Sequence, residues 1–256
     1  MLKEIVQKLP EYDYLYMGDN ARSPYGNRSF EAVYEFTLEC VRHLVERDCR
    51  LIILACNTAS AKALRTIQQK DLPLMDPDIR VLGVIRPTTE SVGNITKTRS
   101  IGILGTTGTV YSNSYPVEIN KFFPDIKIYQ QACPLWVPLV ENNEHLSEGA
   151  EYFVRKYLDQ LFSQSKNIDT IILACTHYPL LEPIIRKHIP KEVNLVSQGS
   201  IVANSLADYL HRHPEVASMC SLSGNVEFLT TDDTSSFNQH ASIFFGGSVS
   251  SVHLPL

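Results

Sequence analysis

Short, continuously apolar runs alternate along most of the chain with stretches of helical periodicity. Residues 12–19, YDYLYMGD, predict a strand ending on Gly18-Asp19. Residues 29–47 place Val33, Phe36, Cys40, Val41, Leu44 and Val45 on one helical face, the stripe of an amphipathic helix against a core. LIILAC, 51–56, has no polar alternation, which suits a parallel strand buried on both faces. TASAKALRTIQQK, rich in helix formers, predicts a helix directly after it. Further strands are expected at 81–85, 100–105, 126–131, 170–175 and 193–197, with helical segments around 112–123, 147–163, 179–188 and 200–211. The late tract TTDDTSSFNQHASIFFGG predicts a turn and a closing helix, its Ser and Thr suited to capping. This alternation predicts an α/β fold with largely parallel sheets, right-handed crossovers and a ligand crevice at the carboxyl ends of the strands.

One run occurs twice. LIILACNTA begins at Leu51 and TIILACTHY at Thr170, so Ile-Ile-Leu-Ala-Cys recurs with a Thr within two residues of each cysteine. The repeat predicts two related α/β domains facing each other: 1–85 with 199–256, and 86–198. Each cysteine, Cys56 and Cys175, then stands at the end of a buried strand where a helix begins. Unpaired N–H groups there favour an anion and lower a thiol's pKa. Pro179 suits the first turn of the second of these helices.

Two thiols in facing units can invert a carbon stereocentre: one takes a proton from one face while the other returns a proton to the opposite face. His177, two residues after Cys175, is near enough to help that thiol change protonation state, although a solvated ring at a helix start fits equally well. Other readings stay open on these residues. The cysteines could be core filler, or Cys175 and His177 could serve a hydrolase, which leaves Cys56 without a role. Zinc lacks a second close-spaced ligand pair. The Pro24-Tyr25-Gly26 stretch reads as a turn at a strand end, where loops line α/β sites. Gly102, Gly105 and Gly108 match no dinucleotide fingerprint or phosphate loop; with Thr106, Thr107 and Thr109 they could hold a carboxylate. Glu141 closes an apolar tract and alone reads as a surface carboxylate.

Composition narrows the partners. Twenty-eight acidic against 23 basic residues, a net charge of −5, offer no basic stripe, so nucleic acid is not expected as a ligand. No apolar run approaches the roughly 20 residues that span a bilayer, and the start of the chain lacks the apolar core of a signal peptide. A cytoplasmic location follows as the expectation, with the six cysteines as free thiols. Cys40 is expected as a small buried hydrophobe; Cys49, Cys133 and Cys220 carry no assigned role.

Taken in order, GDNARSPYG, ACNTASA, GTTGTV, CPLWVPLVE and LACTHYPLL resemble the glutamate racemase family of the Asp/Glu racemase superfamily. The resemblance spans nearly the whole chain. It implies two α/β domains with the site between them, no cofactor, no metal, and interconversion of L- and D-glutamate for peptidoglycan. Cys56 and Cys175 match the acid/base cysteines. Pro24, Tyr25 and Gly26 match the substrate-binding loop, while Asn57, Thr58, Thr176 and His177 match residues gripping the amino acid's polar groups. Thr109 matches the second threonine of a Gly-Thr-x-Gly-Thr loop, and Glu141 a glutamate supporting the histidine. The expected partner is a small amino acid, with a homodimer open. A degenerate relative that binds a metabolite or a protein without catalysis is the alternative.

Three departures from the pattern stand out. Family members open with a strand and loop, Asp-Ser-Gly-x-Gly-Gly, running into a helix, whereas Met1-Leu2-Lys3-Glu4-Ile5 begins inside that helix. The expectation is a sheet short of a central strand and a Cys56 side short of a carboxylate. Arg86 stands where an acidic residue is usual and Gln198 where Asp is common, both read as variation near the domain junction.

Overall fold

The computed structural model describes residues 1–256. Nine strands form three sheets in which every pairing is parallel. Strands β1 (Tyr14–Gly18), β8 (Val226–Thr230) and β9 (Ser251–His253) make one sheet in the order β1-β8-β9. Strands β2 (Leu51–Leu54) and β3 (Arg80–Gly83) pair alone. The third sheet, in the order β5-β4-β6-β7, joins β4 (Ser100–Gly105), β5 (Lys127–Ala132), β6 (Thr170–Ala174) and β7 (Asn194–Val196). Its central strands β4 and β6 are buried along their whole length, as their unbroken apolar runs require.

Helices cover these sheets through their apolar stripes. Ser29 caps the helix Phe30–Val45 by accepting from the Ala32 amide, and the helix buries Val33, Thr37, Leu38 and Val41. That face is rotated from the predicted stripe. Phe36 and Cys40 turn instead toward the loop after β1: Phe36 packs on the Tyr25 ring at 6.0 Å, and Arg22 Nη2 lies 3.7 Å from the Cys40 sulfur. Cys40 is therefore half-buried beside a charged group rather than a core hydrophobe. Burial and the Asp19 charge push its thiol up to about 12.

The stretch after Cys56 is not one helix. It breaks into Asn57–Lys62, Leu64–Thr66, a wide π turn at Ile67–Asp71 and Leu72–Met75. The wide turn sits just ahead of Pro73, which has no N–H to continue the α ladder. The apolar run at 81–85 also divides, because β3 stops at Gly83 and a helix starts at Ile85. A Cβ on Gly83 would lie 2.6 Å from Leu64 and 3.0 Å from Ser60 Oγ, so glycine lets the post-Cys56 helices close onto β3. Strands β8 and β9 carry no strong sequence signal; both are short, and β9 is largely exposed.

The helices Leu2–Lys8 and Gly199–Arg212 pack together over β2 and β3. Ile5, Val202, Ala203, Leu206 and Leu210 meet Tyr14, Leu51, Ile53 and Leu82 in one apolar cluster. Strands β1 and β2 thus share a core without sharing a hydrogen bond. No helix is long and apolar enough to cross a membrane.

Candidate active site

Cys56 follows the end of β2, and its backbone caps the helix Asn57–Lys62. Cys175 follows the end of β6, and a turn and a short 3-10 segment, Tyr178–Leu181, separate it from the helix Glu182–His188. Cys56 lies two residues past its strand and Cys175 directly after its own, and only Cys56 meets an α-helix start directly. Negative charge on the Cys175 sulfur is felt at Cys56 and adds to the upward push of burial on its thiol.

Cys56 departs from the expectation of a lowered pKa. Removal from water pushes its thiol up, outweighing hydrogen bonds from the Thr58 and Ala59 amides that pull it down. The helix start is present, but desolvation dominates.

His177 joins Cys175 to Glu141. Its Nδ1 lies 3.8 Å from the Cys175 sulfur, and its Nε2 meets a Glu141 carboxylate oxygen. Burial disfavours the imidazolium, yet the bonds to Cys175 and Glu141 prevail and raise His177 from 6.5 to about 10. The same contact holds the Glu141 carboxyl below its ordinary value. Glu141 is therefore a partner of His177, although its side chain keeps 37% exposure. Thr176 lies in the turn between the two.

Three threonine hydroxyls from both cysteine-bearing halves converge. Thr58 Oγ1 lies 2.9 Å from Thr106 Oγ1 and 3.4 Å from Thr109 Oγ1, and the last two are 3.1 Å apart. Thr106 also caps the helix Thr107–Tyr111 by accepting from the Thr109 amide at 3.2 Å. Gly26 reaches this cluster: the Gly108 amide donates to its carbonyl at 2.7 Å. Pro24, Gly26, Thr106 and Pro138 line a small cleft beside it. Tyr25 is held from behind, its hydroxyl donating to Asp19. Asp19 also accepts from Arg22 Nε at 2.8 Å and from Thr231 Oγ1 at 2.9 Å.

Several neighbours of the site carry no local signal. Tyr16 is close enough to Cys56 and Glu141 for their charges to raise its phenol pKa, after burial itself. The closing helix Thr234–Phe245 packs Phe244 edge-on against the His177 ring at 5.4 Å and 78°. Asn57 turns its amide into a buried polar cluster with Tyr115 and Gln198. No three His, Cys, Asp or Glu side chains gather in a metal-binding arrangement.

Residues 1–206 match the family described as Asp/Glu/Hydantoin racemase. A glutamate racemase of Geobacter metallireducens is 38% identical over 253 residues, covering 99% of this chain and 90% of that protein. The crystal structure of a Bacillus anthracis glutamate racemase isoform superposes with a TM-score of 0.89 at 33% identity, covering 100% of this chain and 92% of that one. A Francisella tularensis glutamate racemase in complex with D-glutamate gives a TM-score of 0.85 at 28% identity, covering 100% and 91%.

Proposed function

This chain belongs to the Asp/Glu/Hydantoin racemase family, and on that premise we propose that it interconverts L- and D-glutamate by passing the α-proton between Cys56 and Cys175. It is an isomerase by family, and its reaction supplies D-glutamate for peptidoglycan in the cytoplasm. The observation that carries the reading is the matched placement of two cysteines, each just past the carboxyl end of a parallel strand, with Cys56 close enough to feel charge on Cys175.

The proton balance is simple. A thiolate on one face takes the α-proton, and the electron pair stays on the α-carbon, delocalised into the carboxylate. The thiol on the other face then donates its proton, so the stereocentre inverts and the two sulfurs exchange protonation states. Burial suits Cys56 to stand as the thiol. A His177 imidazolium 3.8 Å from Cys175, backed by Glu141, is the counter-ion that a thiolate there requires. Asn57 and Thr58 follow Cys56, and Thr106 and Thr109 join Thr58 from the Cys175 half, so polar groups for the amino acid's carboxylate and ammonium gather where the halves meet. We assign the halves as 1–85 with 199–256 and 86–198, so that the chain crosses between them after β3 and after β7.

The decisive experiment is exchange of the glutamate α-proton in deuterated water, followed with circular dichroism from either enantiomer. Cys56→Ser and Cys175→Ser are each expected to abolish racemisation. Full racemisation by either variant overturns the two-thiol reading. Absence of both racemisation and exchange in the unaltered chain favours a binding protein instead.

A further inference from the structure

A buried ring of side chains lies beside Cys56 and has no part in the proton transfer. Gln198 Nε2 donates to the Tyr115 oxygen at 2.8 Å, and the Tyr115 hydroxyl donates to Asn57 Oδ1 at 2.7 Å. Asn57 Nδ2 closes the ring by donating to Gln198 Oε1 at 2.7 Å. Tyr115 is fully enclosed, and Asn57 and Gln198 are only 2% and 3% exposed. No water competes for these bonds, so a missing partner is costly.

The donors all run the same way round, and the sense is set from outside the ring. The two N–H groups of Gln198 Nε2 are shared among three acceptors, the Tyr115 oxygen, the Val84 carbonyl at 3.2 Å and Thr88 Oγ1 at 3.0 Å. A backbone carbonyl can only accept, so the amide nitrogen must face Val84; turning Gln198 over would set two carbonyl oxygens against each other. With Gln198 fixed, the Tyr115 oxygen accepts from it, and the single phenolic proton goes to Asn57. Asn57 must then turn Oδ1 toward Tyr115 and Nδ2 toward Gln198. Its second N–H and its second oxygen lone pair are thereby aimed in fixed directions.

The location matters as much as the order. Val84 follows β3, where the chain leaves the sheet of Cys56 for the sheet of Cys175, and Gln198 follows β7, where it leaves that sheet for the helix Gly199–Arg212 packed over β2 and β3. Asn57 directly follows Cys56, while Tyr115 belongs to the helix Ser114–Phe122 packed on the other sheet.

We propose that Gln198 is a positioning residue that sets the amide orientation of Asn57 beside Cys56 and clasps the chain crossing at Val84 to Tyr115 on the Cys175 sheet. The proposal rests on the racemase reading. It requires a neutral side chain that both donates and accepts. An ionised carboxylate at this position would only accept and would confront the Val84 carbonyl and the Tyr115 oxygen.

The test compares the unaltered chain with Gln198→Leu, Gln198→Glu and Tyr115→Phe. kcat and KM are measured separately for D- and L-glutamate over roughly pH 5 to 9, with melting temperature in parallel. Gln198→Leu and Tyr115→Phe are expected to raise KM for both enantiomers by about 10-fold. Gln198→Glu is expected to approach normal KM at the acid end, where a protonated carboxyl can donate and accept, and to lose it as pH rises. Gln198→Leu lacks that acid recovery. Normal kcat and KM in both Gln198→Leu and Tyr115→Phe, at whatever melting temperature, overturn the proposal.

If the unaltered chain does not racemise, the racemase reading falls and melting alone judges the ring. The buried carboxyl of Gln198→Glu has a folded pKa above its unfolded value of about 4.3, so its stability is full below that value and lost as pH rises. A pH-dependent fall in melting temperature absent from Gln198→Leu supports the ring; equal, pH-independent losses overturn it.

Discussion

The Gly108 amide donates to the Gly26 carbonyl at 2.7 Å, joining the loop after β1 to the first turn of the helix after β4 backbone to backbone. A Cβ on Gly108 would lie 2.9 Å from that carbonyl oxygen and equally close to the Lys62 side chain. The lysine can swing away, but the carbonyl is fixed by its chain. Gly108→Ala is expected to push the Tyr25-Gly26 loop off the threonine cluster and raise KM for glutamate about 10-fold, read in the circular-dichroism assay. An unchanged KM would show that the loop does not contribute to substrate binding.

His177 and Glu141 set a pH signature. The folded His177 pKa is raised from 6.5 to about 10, so its contribution to stability is complete below about 6.5 and disappears as pH rises through 10. The folded Glu141 pKa is lowered, so its contribution holds above the ordinary carboxylate range and is lost under acid conditions. Glu141→Gln is therefore expected to lower the melting temperature most between these limits, with the difference from the unaltered chain shrinking above about pH 10. A difference independent of pH contradicts the ion pair.

The same pair predicts a kinetic effect. His177→Asn removes the counter-ion of a Cys175 thiolate, and kcat/KM is expected to fall about 100-fold. L- and D-glutamate have equal free energy in water, so the fall must be the same in both directions. An α-deuterium isotope effect that becomes unequal between the enantiomers assigns the weakened step to one sulfur.

Burial makes Cys56 less acidic, and alkylation can report this directly. In a Cys175→Ser background, the iodoacetamide reactivity of Cys56 is expected to rise with pH to a midpoint above 9, the ordinary thiol value. Peptide mapping by mass spectrometry separates it from the other cysteines. A midpoint near neutrality restores the helix-start expectation.

Asp19 supports the Tyr25 loop from behind. Its side chain is only 8% exposed and accepts from Arg22, Tyr25 and Thr231. Asp19→Ala leaves those donors without a partner and is expected to cost about 1–3 kcal/mol in chemical denaturation. Tyr25→Phe, which removes one donor and leaves the Arg22 and Thr231 bonds, is expected to cost less.

The apolar runs at 100–105 and 170–175 made β4 and β6 legible, because a strand buried on both faces tolerates no polar interruption; the run at 51–56 located β2, whose residues are fully buried only on one face. The predicted pairing of His177 with Cys175 needed only two residues of spacing. By contrast, Phe36 and Cys40 share a plausible helical stripe with Val33 and Val41 but face a loop, because periodicity finds an apolar face without saying what covers it. Strand β8 was not legible either; its five residues include Glu227, and its order comes from pairing with β1, distant in sequence.

The chain's own residue pattern determines the α/β alternation, the repeated cysteine strands and the turn chemistry beside them, since these depend on side chains within one element. Tertiary structure alone decides the acidity of Cys56, the packing of Phe244 on His177, and the ring that makes Gln198 more than a junction variant. Desolvation and buried hydrogen bonding depend on groups brought together from remote parts of the chain. Asn57 and Gln198 stand 141 residues apart, and only folding places them 2.7 Å from each other.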